Sequence, residues 1–247
     1  GTDLSAFAPA SDWIAAHLPR AMSTQGDAQG ISRGADTPWL VDWACGRGRH
    51  SVLALERGWN VLALDRDAEA LNDLLKSAEQ LGTAAALRTI RADLEEPRHP
   101  WDWAQRLRRA ASQLPRTETG SGQGNAGPPD DEAPWALGAI VMTRYLHRAS
   151  WFMLANLLAP GGWLLHETFA LGHAKYGRPT RAAFLLQPGE LLALAQRANL
   201  AVLAFQDGTL ADEAGQAFAR VQRLVARKPA NNASLDPWDS FRLRSAV

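Results

Sequence analysis

The chain has 247 residues, of which 46% are hydrophobic and 21% charged, and this composition fits one large globular domain with a sizeable core. Lysine plus arginine equals aspartate plus glutamate at 26 each, which argues against a nucleic-acid binder that relies on bulk charge but leaves a local basic patch possible. The single cysteine excludes an internal disulfide framework. With no apolar run of about 18 residues and no recognisable signal peptide, we expect no membrane span and a cytoplasmic protein.

Hydrophobic periodicity and turn residues predict helices and strands that alternate along the chain. An N-terminal helix at residues 11–21, capped by Ser11, leads into a loop at 23–38 that is rich in glycine and serine. Five predicted strands follow at residues 39–44, 60–64, 86–91, 137–143 and 163–169. The helices between and after them are predicted from residue 48 to 57 and at residues 67–81, 103–114, 150–158 and 188–198. Asp67 is the predicted cap of the second helix in this set.

Two further strands, at residues 200–205 and 217–226, end the pattern. The segment TLADEAGQ between them is too short for a crossover helix, so this pair should be antiparallel. The whole pattern predicts an α/β fold: a three-layer, Rossmann-like, doubly wound sheet that is mostly parallel, with an antiparallel last strand.

The predicted domain organisation is a single domain over residues 1–247. Within it we expect an N-terminal helix and loop at 1–38, a flexible insertion at 113–135 and an irregular tail at 228–247. The insertion has almost no large apolar side chain, so burial cannot offset its ordering entropy, and a mobile surface loop is expected there.

The most informative stretch is residues 41–65, VDWACGRGRHSVLALERGWNVLALD. A strand runs into a turn with Gly46 and Gly48, a helix follows, and a second strand ends in Asp65. This order is typical of a nucleotide-binding βαβ unit, in which glycine lets the backbone approach a ligand and the acid accepts ribose hydroxyls. The alternative is a glycine turn that only packs a helix on a strand. Ser51 stands where the dinucleotide fingerprint requires a third glycine.

Asp42, four residues before Gly46, completes a motif D-x-A-C-G-x-G. The sequence here resembles the first motif of the class I S-adenosylmethionine-dependent methyltransferases, and the resemblance extends over residues 39–226. Four further segments are similar to a bacterial branch related to the tellurite-resistance methyltransferases: RYLHR, GGWLLHETF, YGRP and FLLQPGELL. The resemblance implies the seven-stranded methyltransferase fold, with S-adenosylmethionine as cofactor and S-adenosylhomocysteine as product.

The resemblance also implies roles for individual residues. The residues that occupy the cofactor-binding positions of the family would be Asp42, Ala44, Gly46, Gly48, Asp65, Arg66, Asp93, Leu94, Thr143 and Arg144. The glycine turn would hold the methionine part, Asp65 the ribose hydroxyls and Asp93 the adenine amino group. Arg47 departs from the small residue that many members have, and its guanidinium either meets a carboxylate of a ligand or faces solvent.

A methyl sulfonium is already activated, so the chemistry needs alignment and only sometimes a base. The candidate catalytic residues are Tyr145, His147 and Glu167. Tyr145 either lines the path of the methyl group or only packs beside the cofactor. His147 either acts as a general base or caps the next helix. Glu167, in a strand, either acts on substrate or pairs with Arg144 or Arg148. The loop at 170–187 is the candidate for substrate selection through His173, Tyr176 and Arg178.

Neither a nucleophilic cysteine nor a metal ion is expected at the site. Cys45 lies inside the glycine turn, where a small buried filler is favoured over a nucleophile. No Cys/His cluster has metal-ligand spacing, so no metal is expected.

The leading interpretation is a methyltransferase with a small-molecule substrate. Three alternatives remain: a methyltransferase for RNA or protein, an NAD(P)-dependent oxidoreductase that Ser51 disfavours, and a non-catalytic cofactor-binding protein. The acceptor atom and the oligomeric state are open at this point.

Overall fold

The computed structural model describes residues 9–21, 38–96, 100–112 and 137–230. Most of the predicted loop at 23–38, the predicted insertion at 113–135 and the predicted tail from residue 231 onward lie outside the described residues. The helices are α1 (Asp12–His17), α2 (Arg49–Glu56), α3 (Ala68–Gln80), α4 (Pro100–Ser112), α5 (Arg148–Asn156) and α6 (Glu190–Arg197). The strands are β1 (Trp39–Trp43), β2 (Asn60–Asp65), β3 (Leu87–Arg91), β4 (Leu137–Thr143), β5 (Leu158–Phe169), β6 (Ala201–Ala211) and β7 (Ala217–Arg227).

The strands belong to a 7-stranded sheet in the order β3-β2-β1-β4-β5-β7-β6. Neighbouring strands are parallel in the pairs β1–β2, β2–β3 and β4–β5, and antiparallel in β5–β7 and β6–β7. The predicted fold class, a mostly parallel doubly wound sheet with an antiparallel end, is therefore confirmed. In the part of the chain that the structure describes, no helix has the length and apolarity needed to cross a membrane.

The chain divides into two compact units, and the first comprises Gly1–Ala10 and Pro19–Ala136. Its strands β1, β2 and β3 run parallel, with Asp42 opposite Ala63 and Asp65 opposite Arg91. Every residue of β1 is buried, as expected for a parallel strand that is covered on both faces. The predicted cap of α3 is confirmed, because the Asp67 carboxylate accepts hydrogen bonds from the backbone N–H groups of Glu69 and Ala70.

The second unit comprises Ser11–Leu18 and Leu137–Val247, and it contains β4, β5, β7, β6 and the short helix α1. The prediction that Ser11 caps a helix to residue 21 is wrong. The helix ends at His17 because Leu18 is extended ahead of Pro19, a conformation that proline favours in its neighbour. The Ser11 hydroxyl makes no capping bond and donates instead to Glu167 Oε2 at 2.8 Å.

Two strands are longer than predicted. β5 begins at Leu158 and not at residue 163, because its backbone pairs with Leu137 before the register jumps to Ala139 opposite Trp163. β6 continues to Ala211, since its ladder with β7 extends over the part of TLADEAGQ that was predicted to be a connection. Only residues 212–216 then remain as the turn of this hairpin.

Candidate functional site

The glycine turn joins β1 to α2 in the first unit, and three of its residues have positive φ angles. Ala44 has φ 61°, Gly46 φ 54° and Gly48 φ 80°. A positive φ is unfavourable for alanine, and residues held in this way cluster at binding sites. The turn is fixed by backbone hydrogen bonds from Cys45 N–H to Leu64 O and from Gly48 N–H to Cys45 O, both at 2.9 Å.

The two glycines serve different purposes. A Cβ on Gly46 would meet nothing within 4 Å, so this part of the backbone faces open space that a ligand can enter. A Cβ on Gly48 would lie 2.5 Å from Leu74 Cδ1, on helix α3. Gly48 is therefore required for the packing of α3 against the turn. For this glycine the role is structural packing and not contact with a ligand.

Asp65, at the end of β2, fastens the turn. Its Oδ2 accepts a hydrogen bond of 2.7 Å from Gly46 N–H, and its Oδ1 accepts one of 3.0 Å from Asp67 N–H. A carboxylate has about four acceptor sites, so each oxygen can accept a further bond from a ligand hydroxyl. The residue is half-buried, at the same turn as the open face of Gly46.

Asp42 lies beneath the turn and is 1% exposed. Ser51, in the first turn of α2, donates a hydrogen bond of 2.6 Å to its Oδ2. The other oxygen, Oδ1, is buried and has no hydrogen-bond partner among the described residues. Burial raises the pKa of Asp42 to about 6, against the lowering effect of the bond from Ser51. A buried carboxylate oxygen without a donor is rare in native proteins and fits a ligand that brings an N–H group.

Two further side chains of the turn, those of Cys45 and Arg47, lie in different surroundings. Cys45 is buried, and burial raises the pKa of its thiol above the ordinary range, with the nearby Asp42 and Asp65 carboxylates acting in the same direction. Cys45 is buried, as predicted, and its role as a filler stays a prediction. Arg47 is exposed and donates a hydrogen bond of 2.6 Å to Asp73. Of its two predicted orientations, toward a ligand carboxylate or toward solvent, the structure shows the second.

The residues predicted to surround adenine lie just past the ends of β2 and β3. Ala92 N–H donates to Asp65 O at 2.9 Å, which joins the two strand ends. Arg66 and Asp93 are exposed, and Leu94 is buried. The Asp93 carboxylate accepts from Glu95 N–H at 3.0 Å. The first unit thus brings all the predicted cofactor residues from Asp42 to Leu94 to neighbouring strand ends.

Thr143 and Arg144, the remaining predicted cofactor residues, belong to the second unit. Thr143 is half-buried, and Arg144 is exposed with φ 53°. The Arg144 N–H donates to Glu167 O at 2.8 Å. Tyr145 is half-buried, and its carbonyl oxygen lies 3.0 Å from His166 Nε2.

His166 has one defined protonation state. Its Nδ1 accepts a hydrogen bond of 3.1 Å from the indole N–H of Trp151, which can only donate, so the ring proton is on Nε2 and is donated to Tyr145 O. Burial lowers the pKa of His166 to about 4, so the ring is neutral at physiological pH. His166 therefore holds the backbone of the turn after β4.

Glu167, a predicted catalytic residue, is buried in an ion pair. Its Oε2 accepts from Ser11 Oγ at 2.8 Å and lies 2.8 Å from Arg223 Nε, on β7. Arg223 also donates to Asp12 at 2.9 Å. Glu167 thus forms an ion pair with an arginine, but the partner is Arg223 and not the predicted Arg144 or Arg148; Arg148 donates to Glu190 instead.

His147, the other predicted base, occupies the N-cap position of α5 without capping it through its side chain. Its Nδ1 lies 3.2 Å from Ser150 Oγ, and that hydroxyl donates back to His147 O at 3.1 Å. Within the ranges described above, no group of three or more His, Cys, Asp or Glu side chains could hold a metal ion.

The predicted substrate residues lie on the loop after β5. His173 is 4% exposed and stacks on Phe169, with the ring centroids 4.0 Å apart. Its Nδ1 accepts from Arg220 N–H at 3.3 Å, so its Nε2 carries the proton and donates to Arg178 O at 3.1 Å. Tyr176 is half-buried and Arg178 is exposed. His173 thus fixes the loop, while the other two side chains remain accessible.

Sequence reasoning missed the partners of the buried acids. In the sequence Ser51 is notable only because it replaces a third glycine, yet in the structure it donates a hydrogen bond to Asp42. Arg223 carried no signal in the sequence, because its pairing with Glu167 depends on the register of β5 with β7, where the two residues are opposite each other.

Comparison with known proteins gives the fold a context. No family model and no curated protein match the sequence. Among solved structures, TehB from Haemophilus influenzae, a tellurite-resistance methyltransferase, is similar with a TM-score of 0.51 at 18% identity, over 77% of this chain and 57% of TehB. The cyclase SpnF is similar with a TM-score of 0.51 at 15% identity, over 78% of this chain and 75% of SpnF.

These likenesses show that the chain has the fold of the class I S-adenosylmethionine-dependent methyltransferases. The chain spans just over half the length of TehB. A cyclase among the similar structures illustrates that one fold supports different reactions, so function has to be argued from the site.

Proposed function

We propose that the protein is an S-adenosylmethionine-dependent methyltransferase that acts on a small molecule. The observation that carries the proposal is the glycine turn of the first unit. Its Gly46 faces open space, its Asp65 has acceptor capacity for ribose hydroxyls, and the buried Asp42 Oδ1 has no donor among the residues that the structure describes. These three features suit a ligand that carries a ribose and a cationic amino group.

The charge of the turn favours this cofactor over a dinucleotide. A dinucleotide places a negatively charged diphosphate at the helix N-terminus after the glycine turn. Here the carboxylate of Asp42 lies beneath that turn and that of Asp65 beside it, and both repel an anion. A cofactor with an amino group and a sulfonium is attracted by the same two carboxylates. The absence of a third glycine at Ser51 agrees with this choice.

S-adenosylmethionine, when bound, supplies a methyl group on a sulfonium that requires alignment more than activation. Asp42, Gly46 and Asp65 would hold it, and Arg66, Asp93 and Leu94 would contact its adenine. Tyr145 and His147 are the proposed residues for the acceptor and its proton. Glu167 is proposed as a positioning residue, since Ser11 and Arg223 already engage its carboxylate.

The proposal is tested by incubating the purified protein with a crude cell extract, from which small molecules have not been removed, and S-adenosylmethionine that carries a labelled methyl group. We expect label in a small-molecule fraction. Label in RNA or protein would change the acceptor class, and no label above a protein-free control would contradict methyl transfer.

The matched variants are Asp65→Asn and Asp73→Asn. Both are isosteric changes in the same unit, but Asp73 pairs with Arg47 on the surface. Removing the charge that accepts ribose hydroxyls should weaken S-adenosylhomocysteine binding about tenfold or more, because hydrogen bonds to a charged acceptor are strong. Equal binding by the two variants would refute the ribose role of Asp65.

A further inference from the structure

The loop between β5 and α6 has an unusual charge. Over residues 170–187 the sequence ALGHAKYGRPTRAAFLLQ contains one lysine and two arginines and no aspartate or glutamate, although the whole chain has zero formal net charge. We call residues 170–187 the basic loop. A cation-only segment on the surface of a balanced chain attracts anions unless its charges are paired locally.

The basic loop is firmly held. Its two ends meet where Leu171 N–H donates to Leu186 O and Leu186 N–H donates to Phe169 O, both at 2.9 Å. Its centre is fixed by His173, whose ring bonds the backbone of Arg178 and of a residue on β7. The charges that the loop carries are therefore presented from a fixed backbone, which reduces the entropy lost when they bind a ligand.

Arg148, on helix α5, also holds the backbone of the basic loop. Arg148 Nη1 donates to Ala183 O at 2.7 Å, and its Nη2 donates to Leu185 O at 3.1 Å. The two acids nearest to the loop in sequence are Glu167 and Glu190. Glu167 pairs with Arg223 and Glu190 with Arg148, so neither is paired with an arginine of the loop.

The basic loop borders an open cleft of about 580 Å³. The described residues that line it are Arg178, Pro179, Thr180, Arg181 and Phe184. Both arginines are exposed, and no ion pair joins either guanidinium to an acid of the described ranges. Phe184 is 38% exposed, which is high for a phenylalanine, and with Pro179 it forms an apolar wall. The cleft thus combines two guanidinium groups, which bind carboxylate and phosphate oxygens through paired N–H groups, with an apolar surface.

We propose that the cleft of the basic loop binds the anionic group, a carboxylate or a phosphate, of a methyl acceptor whose body is aromatic or otherwise apolar. The inference rests on the proposed function, because it assigns the ligand of the cleft as the acceptor. Arg178 and Arg181 bind the anion, and Phe184 packs against the body of the ligand.

The test uses phenyl phosphate and benzoate as probes, titrated into the native protein and followed by backbone amide NMR shifts. Both probes should shift the amide resonances of the basic loop. The probe with the lower dissociation constant shows whether the anionic group of the acceptor is a phosphate or a carboxylate. Benzyl alcohol, which lacks the charge, should leave these amides unchanged. Equal shifts with benzyl alcohol would overturn the proposal.

Matched variants separate the cleft from the overall charge of the loop. Arg178→Gln and Arg181→Gln should each weaken phenyl phosphate binding about fivefold, the effect of losing one partly exposed ion pair. Lys175→Gln removes the same charge from the same loop but outside the cleft, and should change binding by less than about twofold. Phe184→Ala should weaken phenyl phosphate but not inorganic phosphate. An equal loss in the Lys175 variant, or no loss in the arginine variants, would overturn the proposal.

Titration of S-adenosylhomocysteine into the same samples keeps the two proposals apart. Arginine-dependent binding of phenyl phosphate without any binding of S-adenosylhomocysteine would support the anion cleft and contradict the methyltransferase function. Binding of S-adenosylhomocysteine without binding of either anionic probe would leave that function standing and refute the cleft.

Discussion

The buried carboxyl group of Asp42 should make the stability of the protein depend on pH in a direction opposite to that of most acids. Burial raises its pKa from 3.8 to about 6. Between these values the native protein keeps a proton that the unfolded chain releases, so the contribution of Asp42 to the free energy of unfolding falls as the pH rises through this window. Above about pH 6 the penalty is complete. The difference between 3.8 and about 6 corresponds to about 3 kcal/mol.

The variant Asp42→Asn removes this titration, because an amide is neutral throughout. Relative to the native protein, its free energy of unfolding should rise by about 2 kcal/mol between pH 4 and pH 7, because at pH 4 the carboxyl group of the unfolded chain, with a pKa of 3.8, is already more than half ionised. Any constant cost of fitting the amide next to Ser51 cancels in this difference. The assay is urea unfolding followed by tryptophan fluorescence at several pH values.

Asp73→Asn serves as the control, since Asp73 forms an exposed ion pair and should contribute less than about 1 kcal/mol at any pH of the series. If the Asp42→Asn variant differs from the native protein by the same amount at pH 4 and pH 7, the carboxyl group ionises freely in the fold. The argument for an electrostatically costly acid beneath the glycine turn would then be refuted.

Three further predictions concern packing and the second unit. Gly48→Ala should destabilise the fold by about 3 kcal/mol, because the added Cβ would lie 2.5 Å from Leu74 Cδ1 and because φ at this position is positive. The double variant with Leu74→Ala should lose less stability than the sum of the two single losses, and additive losses in urea unfolding would contradict the clash. Glu167→Gln should cost about 3 kcal/mol, because the buried Arg223 would keep only the exposed Asp12 as a counter-charge. Adding Arg223→Met in the same chain should recover part of this cost, and no recovery would show that the two side chains act independently. Cys45 should resist a thiol reagent at pH 7.5 in the folded protein and react fully in denaturant, because the folded protein buries its thiol and raises the pKa of that thiol. Rapid reaction of the native protein would contradict the filler role.

The fold was predictable because its signals are local. Residues 39–65 form a strand, turn, helix and strand within one continuous stretch, and the capping of α3 by Asp67 depends only on the next few residues. Alternation of such elements leaves few topologies open, since parallel crossovers follow one hand and strands are covered on both faces. The length of β6 was not predictable in this way. Its last residues are strand because β7 pairs with them, and their own composition resembles a turn.

The contacts that were not predicted join residues distant in sequence. Ser11 looks like a helix cap, and only the structure shows that its hydroxyl serves Glu167. Glu167 and Arg223 become partners through the antiparallel register of two strands, which no local pattern encodes. Asp42 and Ser51 are an intermediate case. A buried acid in a strand requires a donor, and a serine in the first turn of the following helix is a plausible source.

The most direct test of the account is isothermal titration calorimetry of the native protein with S-adenosylhomocysteine and, in a separate titration, with NAD. The account predicts that S-adenosylhomocysteine binds at one site per chain and that NAD shows no heat of binding, because the carboxylates of Asp42 and Asp65 attract the amino group of the first ligand and repel the diphosphate of the second. Binding of NAD without binding of S-adenosylhomocysteine would contradict the assignment of the glycine turn.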